Sequence, residues 1–147
     1  TQRSNDMRIL ILLFCFFMFT AFAHADSFDQ SVNRKLLSMS KEFNKGLPVR
    51  IDGEKILEST MVVKNVLMFK YKITDDSIFK NPRFDINKYR YHFRNAQGEI
   101  ICKDESNYAL LKQGASYNYI FVNKYGQILF DFTLNGRECA NFLSGGK

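Results

Sequence analysis

Basic and aromatic side chains alternate at Lys88–Arg94, the densest group of chemically useful residues in the chain. Such a segment can bind single-stranded nucleic acid, because the charges attract phosphates and the rings stack on bases. If the segment is a helix, it forms an amphipathic basic surface that suits acidic lipids or partner proteins. The simplest interpretation places the rings in the core and the charges in solvent. We favour it, and binding of nucleic acid is not predicted.

Catalytic and metal-binding patterns are weak. His92 could act as a general base or a metal ligand, but no second ligand or carboxylate partner stands at a defined spacing from it. Asp75-Asp76 and Asp104-Glu105 are adjacent acidic pairs, which are typical of turns and helix starts. Nucleophile motifs, phosphate-binding loops and metal-ligand spacings are absent from the sequence. We therefore predict no catalytic residue, no metal and no cofactor; a hydrolase that uses His92 is the least favoured alternative.

The N-terminal segment has the three parts of a secretory signal peptide. A basic residue precedes an apolar run over residues 9–19, and Ala23-His24-Ala25 supplies small residues for cleavage. We expect residues 1–6 to be leader material and residues 7–25 to be a signal that is cleaved between Ala25 and Asp26. An uncleaved anchor is the alternative, although a membrane-spanning helix needs roughly 17–25 apolar residues. The predicted location is the periplasm or the extracellular space, without an integral membrane segment after cleavage.

Residues 26–147 are expected to form one domain with a single disulfide. Their number suits one modest hydrophobic core. Cys15 lies within the predicted signal, which leaves Cys102 and Cys139 as an even pair in an oxidising compartment. A catalytic or metal-binding thiol is the alternative, but the chain has no C-x-x-C motif. The formal net charge of +6 is below the charge density typical of a dedicated nucleic-acid binder.

Hydrophobic spacing predicts an N-terminal helix followed by strands. Over Ser27–Asn44, apolar residues recur every three or four positions, and Ser27 and Gln30 match a capping box. The extended segments that follow are Val49–Ile51, Lys55–Val63 and Val66–Thr74. In the last of them apolar residues alternate with Lys70 and Lys72, which indicates a half-buried strand with a basic face.

Residues 83–101 fit two different structures. Ile86, Tyr89 and Phe93 follow the spacing of a helix, whereas the alternation of aromatic and basic residues fits a strand that ends in a turn at Asn95–Gly98. The pattern alone leaves both open. The pattern at residues 104–113 predicts a short helix whose C-terminal cap is a glycine.

The C-terminal part predicts two aromatic-rich strands, Ser116–Val122 and Gln127–Leu134, joined by a four-residue hairpin loop over residues 123–126. Asn135-Gly136 is expected to end the second strand, and residues 144–147 are expected to fray. Because tyrosine is enriched at protein interfaces, the tyrosines here and near His92 are candidates for an exposed contact surface. These are Tyr89, Tyr91, Tyr117, Tyr119 and Tyr125.

Three parts of the sequence match features of known proteins. They are Asn44–Pro48 at the end of the first helix, the stretch Val49–Tyr71, and a closing set that includes Cys102, Gly126 and Cys139. Together they resemble a loose group of small exported, periplasmic proteins of Gram-negative bacteria. The resemblance implies an α+β fold, a helix that leads into Cys102 and a Cys102–Cys139 bridge, so it favours the helix at residues 83–101. It implies no activity and no catalytic residue. Met61–Asn65 departs from the group, which has a Gly/Pro-rich hairpin there.

The combined prediction is an α+β fold. An N-terminal helix packs on an antiparallel sheet of about four to five strands, with one or two further helices in the middle and one disulfide. The predicted function is a non-enzymatic interaction or accessory module of the periplasm, whose partner is another envelope or secreted protein. The alternative is a binder of an anionic envelope ligand, a lipid headgroup or wall polymer, through a basic face. The candidate binding residues are Lys70, Lys72, Lys88, Arg90, Arg94, Tyr117, Tyr119 and Tyr125.

Overall fold

The computed structural model describes residues 29–145 of the chain. The predicted leader at residues 1–6, the signal peptide at residues 7–25 and the helix cap at Ser27 lie outside the described residues. Contacts between residues divide the chain into two compact units, Thr1–Ser31 and Val32–Lys147, and the fold below is that of the second unit. Within residues 29–145, no helix is both long enough and apolar enough to cross a membrane.

The first helix, α1, covers residues 29–44 of the described part, in agreement with the prediction for this segment. Its apolar stripe packs into the core, where Val32 and Leu36 are fully buried. The end of the helix is held by Asn44, whose side chain accepts a hydrogen bond from the Thr60 backbone N–H and donates one to the Thr60 carbonyl, both at 2.8 Å. Residues four positions apart share one helix face, so the same stripe both fills the core and reaches the sheet.

Five strands form one sheet in the order β1-β2-β3-β4-β5. Their bounds are β1 Val49–Arg50, β2 Lys55–Val63, β3 Val66–Ile73, β4 Ser116–Val122 and β5 Ile128–Asn135. The predicted strands and the β4–β5 hairpin are confirmed. Neighbouring strands are antiparallel except β3 and β4, which are parallel. The expectation of an antiparallel sheet needs correction at this pair, because the chain leaves β3 at one end and returns through helices to enter β4 at the end where β3 began.

Two helices form this crossover, α2 (Ile86–Lys103) and α3 (Glu105–Lys112), after a 3₁₀ turn at Ser77–Lys80. Residues 83–101 are therefore mainly helical, as the resemblance implied, and do not form a hairpin. Asp85 caps α2 by accepting a hydrogen bond from the Asn87 backbone N–H at 2.9 Å. Asp104 caps α3 in the same way by accepting one from the Asn107 N–H at 2.8 Å. Each aspartate satisfies N–H groups that have no partner within the helix, which explains why the acidic residues stand at these positions.

The sequence prediction lacks the last helix, α4 (Gly136–Leu143), which follows β5 directly. Asn135 caps it by accepting a hydrogen bond from the Glu138 backbone N–H at 3.0 Å. Its first residue is a glycine because a Cβ there would lie 2.8 Å from the Leu111 carbonyl oxygen. Glycine, asparagine and cysteine are weak helix formers, so tertiary packing stabilises this short helix more than its intrinsic propensity does.

The core lies between the four helices and one face of the sheet, and the disulfide is part of it. Cys102 at the end of α2 is bonded to Cys139 in α4. Both cysteines are buried. The predicted disulfide is confirmed, and the alternative of a catalytic or metal-binding thiol is wrong because each sulfur is bonded to the other.

Candidate functional site

The predicted basic residues Lys70 and Lys72 lie on the face of β3 that points away from the core. Both bind the same carboxylate of β2: the Lys72 Nζ lies 2.5 Å from Glu58 Oε1, and the Lys70 Nζ lies 3.1 Å from Oε2. The hydrogen bond from Lys72, and then that from Lys70, lowers the pKa of Glu58 below its usual value. Since one carboxylate neutralises part of this surface, its attraction for an anionic ligand is reduced.

Tyr117 and Tyr119 are core residues and do not form a surface. Both lie on the face of β4 that the helices cover, and their exposed fractions are 1% and 2%. The Tyr119 ring is stacked between the rings of Phe69 and Phe132, at centroid distances of 5.0 and 4.8 Å. The expectation that these two tyrosines are exposed binding residues is therefore wrong. Tyr125, in the β4–β5 loop, is exposed as expected.

Burial of these tyrosines predicts a loss of stability at alkaline pH. Burial raises the pKa of Tyr117 to about 12 and raises the pKa of Tyr119 further. As the pH rises above about 10, the unfolded chain loses these protons before the folded protein does, so the free energy of unfolding falls, by up to about 1.4 kcal/mol per pH unit for each tyrosine. Urea denaturation at a series of pH values measures this slope, and Tyr117→Phe should reduce it. An unchanged slope in that variant would contradict the assignment of Tyr117 as a source of the effect.

Arg90 and Arg94 lie one turn apart on α2, at the end of the basic and aromatic segment. Two of the aromatic residues beside them, Tyr89 and Phe93, pack against the core: the Tyr89 ring lies 5.6 Å from that of Phe130, and the Phe93 ring lies 4.9 Å from that of Phe121. Lys88 is exposed, and it does not line either of the two cavities beside α2 to which Arg90 and Arg94 contribute. The predicted basic residues thus separate into three places and do not form one continuous basic face.

A groove runs along α2 and is formed by two adjoining cavities of about 460 and about 410 Å³, both lined by Tyr91, Arg94 and Glu138. We call it the α2 groove. The first cavity lies between α2 and α4, where Gly98 faces the Phe142 ring at close range. The second lies between α2 and β5 and is further lined by Asn87, Arg90, Asp131, Phe132 and Thr133. Two of the predicted residues, Arg90 and Arg94, therefore belong to a concave site.

An ion pair with an unsatisfied oxygen lies where the two cavities meet. Arg94 donates a hydrogen bond to Glu138 Oε1, with 2.5 Å between the nitrogen and the oxygen. Glu138 Oε2 is buried and has no hydrogen-bond partner within the described part of the chain. A buried acceptor without a donor is costly to the folded protein, because it has lost its water and gained nothing in return.

Sequence reasoning missed Glu138, although a signal for it is present. Asn135 and Glu138 have the spacing of a capping box, in which a helix-start residue is followed three positions later by glutamate. That pattern predicts a helix start at Gly136 and would have placed Glu138 in its first turn. Its pairing with Arg94, 44 residues earlier, depends on the packing of α4 against α2 and cannot be read from local spacing.

The other candidates for chemistry lie on the surface or shape a turn. His92 is exposed, and its ring lies 6.1 Å from that of Tyr91. Asp75 accepts a hydrogen bond from the Ser77 backbone N–H at 2.9 Å and so shapes a turn. Among residues 29–145, no three His, Cys, Asp or Glu side chains are grouped closely enough to hold a metal ion.

A second groove, of about 640 Å³, lies between α1 and α3. It is mainly apolar, and Met39 and Leu110 are among its lining residues. Glu138 Oε2 is not part of it, so the unsatisfied acceptor distinguishes the α2 groove from this one.

Comparison with solved structures relates the fold to exported proteins. A Pseudomonas aeruginosa protein, described as a candidate secreted protein, superposes with a TM-score of 0.65 at 19% identity, covering 76% of this chain and 96% of its own. EpsS, a pilotin of the type 2 secretion system of Vibrio vulnificus, gives a TM-score of 0.62 at 16% identity over 77% of this chain and 96% of its own. AspS, a type II secretion pilotin of Vibrio cholerae, gives a TM-score of 0.57 at 13% identity over 77% of this chain and 96% of its own.

These identities establish a common fold and nothing finer. No protein-family model matches the chain. No curated protein matches it either. The common fold agrees with the α+β fold that the resemblance implied, and one of the matched proteins is described as secreted.

Proposed function

We propose that this protein is a non-enzymatic accessory module of the bacterial periplasm or of a secretion route, and that it binds another envelope or secreted protein through the α2 groove. The observation that carries the proposal is the concave α2 groove, in which the exposed Tyr91 lies beside the ion pair of Arg94 and Glu138. Tyrosine and arginine are the side chains that most often dominate binding energies at protein interfaces. Tyr91, which is 58% exposed, and Arg94 supply both of them at the centre of the groove.

The protein's predicted export supports this role. The N-terminal signal pattern directs the chain out of the cytoplasm, with cleavage between Ala25 and Asp26 as the proposed processing site. A disulfide persists in the oxidising compartments to which such a signal leads. Two solved neighbours of the same fold are pilotins of type II secretion systems, which supports an accessory role more than an enzymatic one.

The alternative, an anionic ligand on a basic face, is not supported by the arrangement of the charges. Glu58 binds Lys70 and Lys72, and Glu138 binds Arg94. Lys88 stands apart from both pairs. A lipid headgroup or wall polymer would therefore meet separated and partly neutralised charges, which bind anions weakly.

Cross-linking in cells tests the proposed function. The tagged protein is expressed with its own N-terminal segment in its native bacterium, and the wild type is compared with Tyr91→Ala in the α2 groove and with Met39→Ala in the groove between α1 and α3. We expect one saturable protein partner whose yield falls at least about tenfold in Tyr91→Ala and not in Met39→Ala, since a central tyrosine contributes a large share of binding. Thermal melts of both variants confirm that they are folded.

Two results would count against the proposal. If the partner is retained by Tyr91→Ala and lost by Met39→Ala, the binding surface is the other groove. If no saturable partner is captured, and lipid or wall polymer is recovered in a salt-sensitive manner, the protein is a ligand binder and the accessory role fails.

A further inference from the structure

Two methionines lie directly opposite each other on the face of the sheet that points away from the core. Met61 of β2 pairs with Met68 of β3 in the antiparallel ladder. Residues that are directly opposite in such a ladder point to the same face, with their Cβ atoms about 4.5–5.5 Å apart. Two flexible side chains that start this close together can bring their thioether sulfurs to one atom between them.

The neighbouring pair of residues fixes which face this is. Thr60 and Phe69 are opposite each other one position further along the two strands, and both are buried. The hydroxyl groups of Thr60 and of Ser40 in α1 lie 2.8 Å apart and share a hydrogen bond, so this pair faces α1. Because side chains alternate along a strand, Met61 and Met68 point away from α1. Met61 is accordingly 57% exposed.

Packing explains one of the three described methionines but not this pair. Met39 of α1 packs against the hydrophobic core, which is the usual role of a flexible apolar side chain. Solvent-facing strand positions more often carry β-branched or aromatic residues, which suit a pleated surface better. The thioether of Met61 instead faces solvent, where its sulfur can bind a ligand.

The sulfur of methionine is a soft and uncharged ligand. Sulfur ligands of this kind select Cu(I), whereas carboxylate, carbonyl and water oxygens suit magnesium and calcium. A thioether has no proton to lose, so its affinity for a metal does not depend on pH in the way that a thiolate or imidazole site does. It also forms no disulfide, unlike the thiols of Cys102 and Cys139, which are already bonded to each other.

The surrounding charges favour a monovalent ion over a divalent one. Lys70 follows Met68 by two positions on the same face and repels cations, but its Nζ lies 3.1 Å from Glu58 Oε2, which offsets part of its charge. The remaining repulsion is half as large for a single charge as for a double charge. Within the described range 29–145, no three His, Cys, Asp or Glu side chains come together to hold a divalent metal.

We infer that Met61 and Met68 form a surface site for Cu(I), which is bound between their two thioether sulfurs. Neither methionine lines the cavities of the α2 groove, so the inference does not rest on the proposed function. Loss of the metal site should therefore leave capture of a protein partner unchanged, whereas Tyr91→Ala should leave metal binding unchanged.

Silver(I), a soft monovalent ion that does not change its oxidation state in air, is the first probe. Silver nitrate is titrated into the oxidised protein in chloride-free buffer, and the methyl groups of the methionines are followed by NMR. We expect the Met61 and Met68 signals to shift together and to saturate at one ion per chain, while the Met39 signal stays in place. Cu(I), made from Cu(II) with ascorbate under nitrogen, should give the same pattern, and Zn(II) should give none.

Leucine variants test whether both sulfurs are required. Met61→Leu and Met68→Leu should each lower the affinity for silver at least about tenfold, because two donors held together bind one ion more tightly than either does alone. Leucine is close to methionine in volume, so both variants should fold, which thermal melts confirm. The matched control is Met39→Leu, which removes a thioether from α1 and should bind silver as the wild type does.

Three outcomes would overturn the site. The first is a titration that shows no saturation at one ion per chain. The second is an equal loss of affinity in Met39→Leu, which would mean that silver binds methionines without regard to their placement. The third is a loss in Met61→Leu with none in Met68→Leu, since a single exposed thioether would then account for all of the binding and the cross-strand pair would have no role.

Discussion

Replacing Phe121 by alanine is expected to lower the free energy of unfolding by about 3–5 kcal/mol, the range found for buried Phe→Ala changes. Phe121 is completely buried near the C-terminal end of β4. Its ring is stacked on Phe130 of β5 at 4.3 Å and on Tyr71 of β3 at 5.0 Å, and it meets the edge of Phe93 of α2 at 4.9 Å. The truncation removes contacts to three elements at once and leaves a cavity that rigid rings cannot fill.

Urea denaturation measures this loss, with Tyr125→Ala as the control. Tyr125 is also an aromatic residue of the β4–β5 hairpin region, but it is 72% exposed, so its truncation should change the free energy of unfolding by no more than about 0.5 kcal/mol. A Phe121→Ala loss below about 1 kcal/mol would mean that neighbouring rings close over the cavity. The aromatic rings would then be able to rearrange, and they would not hold α2 in one position.

The same residue links the core to the proposed binding site. Phe93 lies one residue before Arg94, and its contact with Phe121 fixes the height of α2 above the sheet. Tyr91 and Arg94, on other faces of the same helical segment, line the α2 groove. A change of the core at Phe121 should therefore weaken partner binding even at temperatures at which the variant is folded.

Sequence patterns predicted the strands because their signal is local. Alternation in β3 placed Phe69 and Ile73 on one face and Lys70 on the other, as the structure has them. Alternation alone does not say which face of a strand the helices cover, and this explains the error at Tyr117 and Tyr119. The parallel pairing of β3 with β4 is equally non-local, since it depends on the path of the chain through α2 and α3.

The candidate site was predictable only in part, because some of its residues carry a local sequence signal and others do not. Arg90 and Arg94 stood out by composition, and a helix at residues 83–101 gave them a common face. Glu138, which pairs with Arg94, comes from α4, and Asp131, which lines the same cavity, comes from β5; both elements are brought beside α2 only by tertiary packing. Residues that act together across such a distance in sequence carry no local signature, apart from the capping box at Asn135 that predicts where α4 begins.

Removing the disulfide is expected to lower the free energy of unfolding by about 4 kcal/mol. The bond between Cys102 and Cys139 spans 37 positions of the chain, and closing a loop of that length in the unfolded state accounts for a value of this size. Denaturation of the double variant Cys102→Ala/Cys139→Ala measures the loss. Reductant should lower the stability of the wild type towards that of the variant and leave the variant itself unchanged.

The binding site should respond to the same change, because the bond joins the two helices that form one half of it. Cys102 itself lines the first cavity, and Cys139 is adjacent to Glu138. In conditions where the double variant is still folded, looser packing of α4 against α2 should let solvent reach Glu138 Oε2 and weaken partner binding. Full binding by a folded, disulfide-free variant would show that packing alone aligns α4 with α2. In that case the disulfide would protect the protein from unfolding without shaping the site.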